Sequence, residues 1–352
     1  MSALPFCIVY SVPLSVVTGY WLGGGWNFLT AFIAFVSIPV VDLIWGTDTR
    51  NPDPEHEKEL EARKEFRWVT WGVVPVLAVV VLWGAYVVSH QPLTFIELVG
   101  FTLSVGIMTG AVGINTAHEM LHRLNHWEGF LGHLLLILVC YMHWGVEHIR
   151  GHHALVATPE DPATARFGQS FYAFWPQTVF GTMCSSWNLE VRRLQRKDLP
   201  AISLHNRIIW SAILPLLLAT CLGWAWGWKA VAFFFAQSII GFSFLEVVNY
   251  LEHYGLLRRK LPDGSYEQVT HLHSWNSSHR LTNYYLFNLQ RHSDHHAKPG
   301  RRYQILRHYD DSPQLPTGYA GMVVAAWIPP LWFRIMNHRV PQPVAAKIET
   351  AG

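Results

Sequence analysis

Six stretches of this chain are apolar for long enough to cross a lipid bilayer, and nothing else in its 352 residues restricts the fold as strongly. A spanning helix needs about 20 largely apolar residues. Runs of that length lie at 4–22, 25–45, 68–88, 95–117, 207–228 and 229–252. Inside hydrocarbon every backbone N–H and C=O must find its partner within the protein, so such runs are read as helices. Trp21, Trp26, Trp45, Trp68, Trp71 and Trp228 stand near the run ends, where an interfacial belt places them. Charged residues make up only 14% of the chain, whereas ordinary soluble proteins carry about a quarter. The segment MSALPF has no basic n-region and no clear small-residue cleavage site after it, so the first run reads as a span rather than a cleaved signal. The expected fold is all-α and integral to the membrane. It is a single catalytic domain, 1–352, in which six transmembrane helices carry a histidine-rich cap built from 118–206 and 253–352.

Orientation follows from the basic residues. All of the 26 except Lys229 lie in 46–67, 123–207 and the segment after 256, so the positive-inside rule puts those regions, and the cap, on the cytoplasmic side. The net charge of +2 hides this asymmetry, and no basic stripe stands apart from it to suggest nucleic-acid binding. The run 127–146 is apolar enough to span, but a span there would put the histidines before and after it on opposite faces, about 30 Å apart. It is therefore read as a re-entrant or interfacial helix. The same reading applies to 320–336, where Pro329 and Pro330 interrupt a short apolar run. Glu57, Glu61 and Glu65 at i,i+4 spacing suggest a short helix in the 48–67 connection. Cys7, Cys140, Cys184 and Cys221 are scattered without a CxxC pair, so no disulfide framework or four-thiolate cluster is encoded. Electrons, if the chemistry needs them, must come from another protein.

Nine of the 20 histidines fall into three tight groups and one outlier. His118 and His122 share one helical face at i,i+4. His148 and His152 repeat that spacing with His153 beside them, His253 ends the last span, and His292, His295 and His296 form a third group. Imidazole is the commonest transition-metal ligand, and ionisable groups at membrane depth are expensive and usually functional. Each triple can serve two neighbouring ions, so the nine are candidate ligands of more than one metal. Glu119, Glu147, Glu252 and Asp294 accompany them as candidate partners for the second imidazole N–H. The other eleven histidines lack the clustering and read as structural or solvated. Gly106, Gly110 and Gly113 read first as close helix packing, and secondly as room for a narrow substrate channel. Spacing does not name the metal, because imidazole sites bind zinc, nickel or copper as readily as iron.

The boxes HxxxH, HxxxHH and HxxHH resemble those of the integral-membrane di-iron desaturases, hydroxylases and monooxygenases. NTAHEMLHR (115–123), EHIRGHH (147–153), DPATARFG (161–168), NYLEHYGLLR (249–258), HSWNSSH (273–279) and LQRHSDHH (289–296) resemble, within that superfamily, the bacterial alkane 1-monooxygenases. The resemblance implies two iron ions held by the nine histidines, O2 as co-substrate, and electrons from a rubredoxin with its reductase. It implies a multi-pass protein of the bacterial inner membrane that takes medium-chain n-alkanes from the bilayer to primary alcohols. Arg192, Arg193, Arg196 and Lys197 offer a cationic surface to an acidic electron donor. The alternatives are fatty-acid desaturation or aromatic-methyl hydroxylation within the same superfamily. A metal transporter fits poorly, since its ligands would lie near mid-membrane.

Overall fold

A computed structural model describes residues 2–341, and among these the regular structure is helical, with isolated β-bridges and no strand. The six helices long and apolar enough to span a membrane are Leu4–Leu22 (α1), Gly24–Trp45 (α2), Glu57–His90, Phe95–Leu121 (α4), Arg207–Trp226 (α8) and Trp228–His253 (α9). The third breaks at Arg63, where the backbone turns extended, leaving a short helix Glu57–Ala62 and the long helix Lys64–His90 (α3). These match the six expected runs, with α4 reaching past the expected residue 117 to include His118. α1 and α2, like α8 and α9, are joined by tight turns. Gly23 and Gly227 hold φ of 71° and 81° there, a left-handed conformation that a side chain would strain. α4 starts on a capping box: the Thr94 hydroxyl accepts from Glu97 N–H and the Glu97 carboxylate accepts from Thr94 N–H. Glu97 also accepts from Gly24 N–H at 2.7 Å, which fastens this end of the bundle to the first turn.

α4 and α9 pack closely. A Cβ on Gly110 would lie 2.5 Å from the Gly241 carbonyl oxygen, and one on Gly106 would lie 2.4 Å from Ile240. Close packing is therefore what these glycines permit, although Gly110 also lines a cavity described below.

The run 127–146 does not cross the bundle. It forms His126–Ile137 (α5), a turn, and Trp144–Glu147 (α6). Twelve residues of α5 rise about 18 Å, too little to span. At the turn the Leu138 carbonyl accepts from Gln237 Nε2 at 2.7 Å. Gln237 lies sixteen residues before His253, roughly 24 Å down α9. The apex thus sits deep inside the bundle, where non-helical backbone is tolerated only if protein groups satisfy it. Gln237, whose own Oε1 accepts from Thr109, does that, assisted by Ser238. The chain then climbs back to His148.

One element was not anticipated. Phe171–Gln195 (α7) is a 25-residue helix started by Ser170, whose hydroxyl accepts from Ala173 N–H. Its first half leans on α9 through Trp175 Nε1 to Ser243 Oγ (2.9 Å) and Thr178 to Glu246 (2.6 Å). After α9 come Arg280–Tyr285 (α10), His292–Ala297 (α11), Tyr319–Ala326 (α12) and Pro329–Met336 (α13). The last two cover the 320–336 run, which breaks after Ala326 and restarts on Pro329 and Pro330, and neither piece is long enough to span. Trp332 of α13 is fully buried against Tyr250 of α9 and Tyr254 just past its end, closing the second of two apolar cores.

Candidate metal centre

All nine candidate histidines meet at one end of the bundle, in two groups. His118, His122, His148, His153 and His295 bring one ring nitrogen each to within 4.8 Å of one another, and so do His152, His253, His292 and His296. Neighbours in sequence part company: His152 and His153 join different groups, as do His295 and His296. The backbone turns that hold each HH pair therefore hold the two groups side by side. His153 and His296 are 4.4 Å apart between ring centroids across the divide.

In the larger group the Nε2 atoms form a chain, His118 to His295 at 2.9 Å, His295 to His153 at 3.1 Å, His153 to His148 at 3.1 Å and His148 to His122 at 3.0 Å. A neutral imidazole nitrogen carries either a proton or a single in-plane lone pair. Nitrogens contacted from two sides cannot make two good hydrogen bonds with that equipment. Lone pairs converging on one point suit a cation instead. Two ligands bound at about 2.1 Å and roughly at right angles lie about 3.0 Å apart. In the smaller group His296 and His292 approach to 2.9 Å. Neither His152 Nε2 nor either nitrogen of His253 has a hydrogen-bond partner, although all are buried. Orphaned donors of this kind fit a metal, and each group can hold one.

The electrostatics agree. Burial first, and then the neighbouring imidazoles, push His148, His153, His292, His295 and His296 well below the usual histidine range, and His122 likewise. They stay neutral, which is the ligating form.

The four carboxylates differ. Glu252 Oε2 sits 3.1 Å from His292 Nε2, the metal-facing nitrogen, so it lies against the smaller group itself. Glu147 is fully buried without a hydrogen bond, and burial together with Asp161 and Glu246 pushes its carboxyl well above the carboxylate range. Glu119 pairs instead with Arg123 at 2.6 Å. Asp294 accepts from Arg301, from Arg307 N–H and from the Tyr309 hydroxyl, pinning the 301–309 loop beneath α11. Neither of these two touches an imidazole. The carboxylate that does hold a second ring nitrogen is Asp161, 2.9 Å from His152 Nδ1 and itself fixed by Thr164 and Ala163 N–H. It opens the DPATARFG segment, and that placement was its only sequence signal. Trp144 stacks on His148 at 4.3 Å. His273 and His279, nearest in sequence to the last box, join neither group: they contact Glu267 and Ser277.

An apolar cavity runs down from the two groups between α1, α2, α4, α9 and α12. His118, His148 and His292 form its upper end with Asn115, Asn249 and Glu252, and Ile107, Phe35, Phe244 and Val12 line it farther in. Ile107 lies eleven residues before His118, about 16 Å along α4.

Residues 94–326 match the family model described as fatty acid desaturase. The chain is 45% identical over 340 residues to alkane 1-monooxygenase 2 of Pseudomonas aeruginosa, covering 94% of this chain and 89% of that one. It belongs to the alkane 1-monooxygenase family. Other alkane 1-monooxygenases are similarly placed: number 1 of Pseudomonas aeruginosa is 45% identical over 93% of this chain and 88% of its own, and number 2 of Alcanivorax borkumensis is 42% identical over 94% and 87%. All six quoted motifs fall inside these alignments' breadth, so the paired histidine groups and the cavity belong to an alkane 1-monooxygenase scaffold rather than to an isolated histidine cluster.

Proposed function

We propose that this protein hydroxylates the terminal carbon of medium-chain n-alkanes, using O2, at a pair of iron ions held by the nine histidines. One observation carries the reading: a blind apolar cavity ends on imidazoles of both groups, His118 and His148 from one and His292 from the other. A hydrocarbon lying in that cavity has its end beneath both metal positions. A hydrolytic site would need water there instead.

The ions, when bound, supply O2 activation and removal of a terminal hydrogen. The chain supplies position and dryness. Ile107, Val112, Phe244 and Val248 bury the alkyl chain and keep water from it. Asp161 holds His152 in one tautomer and Trp144 holds the His148 ring plane. Asn115, Asn249 and Glu252 are the polar groups at the reacting end. Electrons are assigned to a rubredoxin with its reductase. Arg192, Arg196 and Lys197 at the end of α7 are exposed and suit such an acidic partner. The basic loops support a histidine end on the cytoplasmic side, in a bacterial inner membrane.

The test is purified protein in lipid with octane, O2, rubredoxin and its reductase, assayed for products and metal content. The expected result is 1-octanol with two irons per chain. Unsaturated acyl products, or protein lacking iron yet fully active, would overturn the assignment.

A further inference from the structure

We propose that a polar seam between α6, α7 and α9 carries protons from the histidine-end surface to the top of the cavity. This rests on the preceding reading, in which RH + O2 + 2 electrons + 2 H+ give ROH + H2O. The electrons come from an external one-electron carrier protein. The protons need a route of their own, because the cavity walls are apolar.

α7 supplies one. Thr178, Thr182, Ser186 and Glu190 recur every four residues on one face, and all four are at most 1% exposed. At the outer end Glu190 pairs with Arg193 and accepts from Arg207 N–H, and Arg207 is half exposed to solvent. Midway, Thr182 Oγ1 lies 3.5 Å from His143 Nε2, and the His143 ring packs on Tyr141 at 4.4 Å. At the inner end three groups converge on Glu246. Thr178 donates at 2.6 Å, Tyr141 at 2.8 Å and Asn249 at 3.1 Å. Asn249 lines the cavity beside His118 and His292. Hydroxyls and imidazole both donate and accept, so each can receive a proton on one side and release one on the other. Glu246 is wholly buried seven residues before His253 on α9, and among the described residues no lysine or arginine pairs with it. A carboxylate at such depth is costly and, in membrane proteins, ordinarily functional. The buried Glu147 beside it, with both oxygens unpartnered, marks the same place as built for more than packing.

A plain structural role is the competitor, since Glu246 joins the re-entrant turn and α7 to α9. Glu246→Gln keeps the shape and hydrogen-bonding reach but holds no transferable acid proton, whereas Glu246→Asp keeps the acid. Both, with Thr182→Val, are compared with wild type for iron content, 1-octanol formed, hydrogen peroxide released per O2 consumed, and solvent isotope effect. The expected result is full iron in all three. Glu246→Gln loses at least about tenfold in alcohol formation, with more peroxide and a larger isotope effect. Glu246→Asp recovers most of the rate, and Thr182→Val falls between. Wild-type turnover and isotope effect in Glu246→Gln overturn the proposal. So does loss of iron in both Glu246 variants, or a loss that Glu246→Asp does not restore. A wild type that makes no alcohol defeats the function itself, and the two failures are told apart by the wild-type assay.

Discussion

His152 and His153 share a peptide bond and join different histidine groups, and that division decides what each single substitution does. Removing His295 takes one of five imidazoles from the larger group, whereas removing His296 takes one of four from the smaller. His148→Ala and His295→Ala should each abolish alkane hydroxylation, with metal analysis showing the loss of about one ion. Full activity in either would be incompatible with the assignment. Asp161 acts at one remove. Its contact with His152 Nδ1 sets which nitrogen faces the ion, and losing such a partner costs roughly 10–100-fold in metal affinity. Asp161→Asn should therefore lose metal to a chelator sooner than wild type while remaining folded, a difference read directly by metal content over time. The spacing of the boxes made nine residues legible as candidate ligands, and the structure brings all nine together. It could not show how they divide, because i,i+3 and i,i+4 neighbours point the same way and the split depends on the local turn. Nor could it rank the carboxylates. Glu119 and Asp294 sit inside the boxes in sequence, but Arg123, one helical turn on, and Arg301, seven residues on, pair with them instead.

Helices of the bundle were readable because bilayer thickness imposes one length on any apolar run. α7 escaped that reading for a physical reason: its Thr178, Thr182, Ser186 and Glu190 face is polar although buried, so the run is not apolar enough to register. The α5–α6 hairpin was placed by a different logic, since His118 and His148 had to share a membrane face. Its cost is a buried turn of non-helical backbone at depth, and Gln237 offsets that cost by donating to the Leu138 carbonyl. Gln237→Leu leaves the Leu138 carbonyl with only the longer Ser238 contact, at 3.3 Å, and leaves the Thr109 hydroxyl with only the Gly106 carbonyl, at 3.2 Å. A buried polar group without its partner costs about 1–3 kcal/mol. The variant should melt at lower temperature in detergent, and its metal content should fall as the hairpin that carries His148 loosens. Melting together with wild type would mean the turn is held by its apolar contacts and not by Gln237.

At the scale of the whole molecule the chain keeps its reactants apart. Charge is concentrated at the histidine end, where Arg301, Arg302 and Arg307 are tied to Asp294, Glu128 and Glu57. Apolar surface lines the opposite approach, from Val12 and Ile107 up to the imidazoles. Segments spread from α1 to α12 build that cavity, which is why no local pattern revealed its depth. Depth should nonetheless govern which alkane fits. Ile107 is 1% exposed and lines the cavity about 16 Å along α4 from His118. Ile107→Phe adds bulk there without touching a ligand, at an overpacking cost of about 1–3 kcal/mol in stability. A long alkane must then either withdraw its far end or lift its methyl out of register with the metals, whereas a short one is indifferent. Turnover of hexadecane relative to octane should fall several-fold with iron content unchanged. If the ratio stays at the wild-type value while the protein remains folded and metallated, the hydrocarbon does not lie in this cavity.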